Sequence, residues 1–510
     1  ESAAQDRLAA LGYRDPRGAM RHIQALTSGV SRRAEIQRHL MPVLLGWFAD
    51  GVDADAGLLG FRIVSESLGT TSWYLRMLRD SPAAAERLCH ILSSSRYITD
   101  LLEDAPTSIT WLDKVADLQP LGAAALKAEI ASLLSRHDDS AEAMRAVRYL
   151  RRREILRIAM GDALNLLGVQ QVCTGLATVD ECTIGAALAL AEREEITAKE
   201  REEAAGIREI PEEEPKNPLL TEITVIAMGR LGGAENGFGS DADVMFVHRP
   251  VEGAGEEEAQ SQANRIVNRL MQLIKQPVRP AIRAERPLEV DADLRPEGKQ
   301  GALVRSLDSY RAYYERWAET WEFQALLRAR PIAGSEDLGR AFVELIDPYR
   351  YPREFTVEQA QQVRRMKARV EHERMPHGAD RTRQLKLGRG GLSDVEWLVQ
   401  LIQLQHAHKV EGLRTTSTLE ALEAAVQANL VAAEDAEVLR DAWLLATKIR
   451  GGNVLRGVRQ SDLLPTLRDA LEAVARWSGY TPGSARQLEE DYLRVTRNAR
   501  KVYERLFFEG

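Results

Sequence analysis

One stretch, residues 229–247, constrains this chain more than any other. It opens with Gly229, Arg230, Leu231, Gly232 and Gly233, passes through Gly237, Gly239 and Ser240, and reaches Asp241, Ala242 and Asp243 at the head of the apolar run Val244, Met245, Phe246 and Val247. Side chains of a strand alternate between its faces, so Asp241 and Asp243 point the same way while residues 244–247 enter a core. Two carboxylates on one strand face can share a hard divalent cation, since Mg²⁺ takes oxygen ligands at about 2.0–2.1 Å. Glycines let backbone N–H groups approach an anion closely. Turn and paired carboxylates together point to a metal–nucleotide site.

Asp-x-Asp alone is weak, because solvated acidic strand ends are common. The flanks strengthen it. Upstream, Thr224, Val225, Ile226, Ala227 and Met228 form a short apolar run of buried-strand type. Downstream, residues 288–296 alternate: Leu288, Val290, Ala292 and Leu294 on one face, Glu289, Asp291 and Asp293 on the other. A carboxylate from this second strand completes a two-metal cage if the strands are neighbours.

The 510 residues, 44% hydrophobic and 28% charged, suit an ordinary globular protein of three or four domains. A formal net charge of −8 argues against extended nucleic-acid binding, although local basic clusters can hold a triphosphate. Cys89, Cys173 and Cys182 are too few for a zinc site or a disulfide framework and favour a reducing compartment. No apolar run is read as transmembrane. The start is no signal peptide and lacks Met, which suggests a processed chain or a fragment.

Residues 5–114 read as helical throughout, with turn signals at Gly12, Asp15-Pro16, Gly51 and Ser81-Pro82 and a boundary near Pro106 and residues 118–122. Long helices are expected over 141–167 and 179–204. The second ends in a charge-dense tract that reads as a solvated helix leading to a linker at Pro211–Pro215. Strand, glycine turn, strand, a mobile acidic loop over 252–258, a helix over 259–274 and the 288 strand then make a small mixed sheet covered by helices. After about Gly334 the pattern is helical to the end, with helices over 357–374, 394–406, 419–432, 436–449 and 485–505.

Three further constellations have competing readings. Residues 321–330 look like a helix running toward Pro331, and its Arg328 and Arg330 can reach phosphate oxygens or simply sit at a helix C-terminus. Arg295, beside the third carboxylate, is the stronger phosphate candidate. Lys386, Leu387, Gly388, Arg389, Gly390 and Gly391 form a basic glycine loop opening a helix, with neither dinucleotide nor P-loop spacing. It suits a nucleotide contact, a domain-docking role or simple capping by Asp394 and Glu396. The histidines, His372, His377, His406 and His408 among them, are isolated and read as structural or solvated.

Gly229 to Gly233, Gly239-Ser240-Asp241-Ala242-Asp243, Val290-Asp291 and Leu294-Arg295-Pro296, in that order, resemble the nucleotidyltransferase core of the glutamine synthetase adenylyltransferase family. That family carries two such cores, an N-terminal adenylyl-removing half and a C-terminal adenylylating half. This chain has one, and residues 320–326 and 393–396 look closer to the adenylylating pattern. The resemblance implies an α+β, predominantly helical fold: a small mixed β-sheet nucleotidyltransferase core flanked by an N-terminal helical region and a C-terminal helical bundle. It divides the chain into a helical regulatory or linking region (1–135), a catalytic domain (136–335) and the bundle (336–510).

It also implies AMP transfer from ATP to a tyrosine of glutamine synthetase, with Mg²⁺ as cofactor, a PII-type signal protein as second partner, no nucleic acid or membrane, and a cytoplasmic location. The adenylyl-removing half, an RNA nucleotidyltransferase and a regulatory module stand as alternatives. Carried over by residue, Asp241, Asp243 and Asp291 are metal-binding and catalytic carboxylates, and Gly232, Gly233 and Ser240 contact the triphosphate. Arg295, Arg330 and Lys386 are added as nucleotide-binding candidates from their positions. One departure stands out: Asp293 occupies a place where the family usually has arginine.

Overall fold

The computed structural model describes residues 2–69, 71–206, 218–457 and 461–509. The expected linker at Pro211–Pro215 lies outside the described residues. At the centre is a five-stranded sheet of β1 (Thr221–Ala227), β2 (Ala242–Pro250), β3 (Val290–Asp291), β4 (Val304–Ser306) and β5 (Arg330–Gly334). β1 pairs antiparallel with β2 on one edge and with β5 on the other. β3 and β4 follow one another along the outer edge of β2, both parallel to it. The mixed sheet and the helical majority around it bear out the expected α+β class.

β2 is apolar over residues 244–247 because both of its faces are covered there. Val244 and Phe246 join the core that includes Ala263, Ile266, Val267 and Leu270 of the helix Glu256–Lys275. Met245 and Val247 join Tyr310, Tyr314, Phe342 and Ile346 on the opposite side. The first core extends from Leu8 through the N-terminal helices and Val304 to Val454, Leu455 and Trp477, and a separate one fills most of the C-terminal bundle.

Several expected boundaries move. Glu256, Glu257 and Glu258 belong to the first turn of the helix Glu256–Lys275, where negative charge complements the helix dipole, and not to a mobile loop. β5 occupies the place expected to end a helix: the helix Thr320–Leu326 stops short, and Arg330 begins a strand. Pro331 disguises that strand. It is tolerated because β5 is an edge and the β1–β5 register shifts there. The helices Glu336–Arg350 and Arg468–Trp477 fall in the stretch read as helical after Gly334, which had not delimited them.

The helix Val169–Ala204 begins ten residues earlier than read and is, by length and composition, apolar enough to cross a membrane, contrary to expectation. Here 72% of its apolar window is buried inside the protein, as in a core helix. Its charged end is less solvated than expected: Glu194 and Glu195 form bidentate ion pairs with Arg269 and Arg265. Cys89, Cys173 and Cys182 are buried and unpaired.

The basic glycine loop is tied down by a buried carboxylate. Asp394, fully buried near the start of the helix Leu392–His406, accepts from Gly390 N at 2.7 Å, Lys367 Nζ at 2.7 Å and Arg500 Nη1 at 3.0 Å. Removing one member of such a set strands the others' charge at a cost of about 3–5 kcal/mol. Asp394→Ala is therefore expected to lower the urea unfolding free energy by about that amount, a far larger loss than Asp435→Ala, whose Arg505 partner is exposed.

Candidate active site

The turn after β1 is shaped by what its glycines leave out. Gly229 has φ +52°, and a Cβ there would overlap the Asp243 carboxylate, so a side chain would push that group aside. A short helix, Gly229–Gly232, follows, and Met228 N donates to Asp243 O at 2.8 Å. The end of the turn is closed by Gly237 N donating to Ser240 Oγ at 2.8 Å. Asn236, wholly buried, is held by Asp180 Oδ2 at 2.9 Å.

Asp241 is exposed just before β2, and Asp243 is its second residue. The parallel pairing of β2 with β3 sets Asp243 directly beside Asp291, at the roughly 4.8 Å spacing of neighbouring strands. β3 is only two residues long, yet these are the two that matter. A cleft of about 460 Å³ opens over them. Asp241, Asp243, Asp291 and Asp293 line it, as do Glu235 and Glu396, and Arg230, Arg328, Arg374, Lys386 and Arg450 supply opposing charge.

Electrostatics registers the crowding. Burial, then the charges of Asp291 and Asp241, push the Asp243 carboxyl up to about 6. Asp241 is also raised, by partial burial and then by Glu289 and Asp291. Lys386 is held below its ordinary range, first by desolvation and then by repulsion from Arg230 and Arg450. Asp291 Oδ1 accepts from Asp293 N at 2.7 Å, which orients the third carboxylate.

Among the described residues no three histidine, cysteine or carboxylate side chains are gathered tightly enough to hold a metal ion as they stand. The donor chemistry nevertheless fits a hard divalent cation. Asp241, Asp243 and Asp291 offer only oxygen, line one cleft, and repel one another in a way that added positive charge would relieve.

The remaining candidates divide. Ser240 and Lys386 line the cleft. Gly232 and Gly233 do not: a Cβ on Gly232 would collide with the Arg328 carbonyl, and Gly233 lies against Thr416 O, so both serve close packing. Arg295 does not line the cleft either. It donates to the carbonyls of Ala292, Gly301 and Lys299, holding the loop that follows Asp291. Arg330 is committed to Glu181 and to the carbonyls of Gly232 and Leu231. Its neighbour Arg328 reaches the cleft while bonded to Thr416 O and Thr418.

Arg230, Arg374, Gln400 and Arg450 were missed. Only Arg230 carried a signal, lying inside the glycine turn; the others are single residues on ordinary helices. Glu396, read as a dipole partner or docking residue, takes Arg230 at 3.0 Å and so joins the bundle to the turn.

Residues 85–345 match the family model described as glutamate-ammonia ligase adenylyltransferase, and residues 364–507 match that of GlnD PII-uridylyltransferase. Similar proteins include the bifunctional glutamine synthetase adenylyltransferase/adenylyl-removing enzymes of Leifsonia xyli (48% identical, 99% of this chain, 47% of the relative) and Streptomyces avermitilis (48%, 99% and 50%). That of Mycobacterium tuberculosis strain CDC 1551 is 45% identical over 99% of this chain and 49% of its own length. The chain thus spans about half the length of these relatives.

The raised Asp243 carboxyl has a consequence for stability. A group whose folded pKa exceeds its unfolded value stabilises the fold below the unfolded pKa and loses that contribution as pH rises through the folded one. For Asp243 the loss develops between about pH 4 and 6. In metal-free protein Asp243→Asn is expected to be more stable than wild type at pH 7.5 by about 1–2 kcal/mol, after allowance for partial solvent screening. Thermal denaturation should show the gap closing at pH 4, and Mg²⁺ should narrow it at pH 7.5.

Proposed function

The chain belongs to the glutamate-ammonia ligase adenylyltransferase family, and from that premise we propose that it transfers AMP from ATP to a tyrosine hydroxyl of glutamine synthetase, releasing pyrophosphate. The observation that carries this reading is the pairing of Asp243 with Asp291 across β2 and β3, in a cleft that also holds four arginines and a lysine alongside Glu235 and Glu396. Carboxylates suited to divalent ions beside arginines and a lysine match a nucleoside triphosphate with its metal.

In this mechanism the phenolic oxygen attacks the α-phosphorus, the bond to the bridging oxygen breaks, and pyrophosphate departs. Asp241, Asp243 and Asp291 would hold Mg²⁺, which when bound lowers the acceptor's pKa and neutralises charge on the phosphates. Lys386, Arg230 and Arg450 orient the triphosphate and draw charge toward the leaving group. Asp291, with Oδ1 engaged by Asp293 N, takes the phenol proton on its other oxygen. Tyrosine ordinarily ionises near pH 10, so some such acceptor is required at neutral pH. The nucleophile comes from the partner.

Among the two activities named for the relatives, we assign the adenylylating one to this half and read residues 1–135 and 336–510 as flanking regions around the catalytic domain. The match of 364–507 to a PII-uridylyltransferase model supports the bundle as the place where a PII-type signal acts. Cytoplasmic location follows from the same assignment. The second reading, phosphorolytic removal of AMP, is favoured by the relatives' double activity and could use the same carboxylates.

Incubation with ATP labelled at the α-phosphate, Mg²⁺ and purified glutamine synthetase is expected to label that protein. Asp291→Asn should cut the rate about 10²- to 10³-fold. Label release from modified glutamine synthetase on adding phosphate, with no incorporation from ATP, would reverse the assignment.

A further inference from the structure

Between the helix Glu256–Lys275 and β3, residues 276–289 form neither helix nor strand, an unusually long irregular stretch inside a packed domain. Its backbone carbonyls have no ladder to bond to, yet buried backbone groups need partners. The helix Ser140–Ala163 supplies them from one face. Arg145 Nε donates to Pro280 O at 2.7 Å, Arg152 Nε to Arg283 O at 2.7 Å and Arg151 Nη1 to Arg286 O at 2.8 Å. Arg148 holds the Gln276 carbonyl and also takes Glu285 with two nitrogens, at 2.6 and 2.9 Å. Arg148, Arg151 and Arg152 are only 4%, 9% and 3% exposed. Buried guanidinium groups are costly unless fully engaged, and what these engage is the approach to Asp291.

β3 is two residues long, and its pairing with β2 is confined to Val290 with Ala242 and Asp291 with Asp243. So short a ladder fixes little by itself, and Asp291 goes where its lead-in goes. Arg151 is the member of the set that reaches both parts of the site. Its Nε donates to Asp180 Oδ1 at 2.8 Å, and Asp180 Oδ2 accepts from Asn236 Nδ2 at 2.9 Å. Asn236 lies five residues before Asp241, and Arg286 lies five before Asp291. One buried chain, Asn236–Asp180–Arg151–Arg286, thus joins the two segments that end in the carboxylates. Neither Arg151 nor Asp180 lines the cleft.

We propose that Arg151 and Asp180 are positioning residues that set the distance of Asp291 from Asp241 and Asp243. The inference rests on the reading of those three carboxylates as metal ligands. A hard divalent cation needs its oxygens at nearly fixed distances, about 2.0–2.1 Å for Mg²⁺. A small shift of Asp291 relative to its partners is therefore felt as lost affinity, although no residue of the chain that holds it touches the ion.

Titration of the full chain with Mn²⁺, the free ion read by electron paramagnetic resonance, tests this without recourse to activity. Arg151→Lys keeps a cation beside Asp180 but lacks the planar fork that spans Asp180 and Arg286, and should weaken Mn²⁺ binding about tenfold. In an Asp291→Asn background the same substitution should change affinity less than about twofold, because the ligand it positions is gone. Arg157→Lys controls for general loosening. Arg157 is on the same helix, but its partners are Glu154 and the Asp117 carbonyl, so its loss should lower thermal stability and leave Mn²⁺ affinity unchanged. Wild-type affinity in Arg151→Lys, an equal loss in Arg157→Lys, or a tenfold loss that persists without Asp291 would overturn the proposal and leave the carboxylate site standing. Failure of wild type to bind Mn²⁺ would remove the metal reading and this inference with it. Should Arg151→Lys fail to fold, Asn236→Ala cuts the same chain at an uncharged residue, and the comparison with and without Asp291 applies unchanged.

Discussion

Repulsion between Asp243 and Asp291 is the constraint around which this structure is organised. A strand covered on both faces would ordinarily tolerate no charge at its head, and its neighbour has no reason to add a second. β2 and β3 nevertheless pair where the two carboxylates meet, and burial together with that proximity pushes Asp243 up to about 6. The rigidity needed to hold them there comes from the apolar layers behind Val244 and Phe246 on one face and Met245 and Val247 on the other. Stability is given up locally, in a cleft whose oxygen donors suit a divalent cation.

The cleft is a joint construction. Its acids come from the sheet, and three of its cations, Arg374, Lys386 and Arg450, come from the helices and the loop that follow it. Asp394 anchors the Lys386 loop to Lys367 and Arg500, and the Arg230–Glu396 pair fastens the bundle to the glycine turn. A neighbouring cavity is composite in the same way: its walls come from helices on both sides of β5, and a hydrogen bond from Gln324 to Gln400 joins them.

Much of this was legible in the residues. The carboxylates, the strands on either side of them and the helix Val357–Arg374 follow from alternation and helical periodicity, which report local burial directly. What escaped was decided at longer range. Arg330 resembled a helix terminus because Pro331 masks an edge strand, and its charge is spent on Glu181, far away in the chain. Gly232 and Gly233 looked like phosphate contacts because tight backbone approach has one sequence signature, whether the approaching group is a ligand or Arg328. Arg374, Gln400 and Arg450 carry no local mark at all, since only the docking of the bundle brings them to the cleft.

That docking has a mechanical corollary. Because Arg374, Lys386 and Arg450 are mounted on different secondary structure from the aspartates, a small tilt of the bundle would change the width of the gap without disturbing Asp241, Asp243 or Asp291. The Arg230–Glu396 latch spans that seam. A signal received on the far side of the helices would thus have a short lever to the chemistry, working as a throttle and not as a switch inside the sheet.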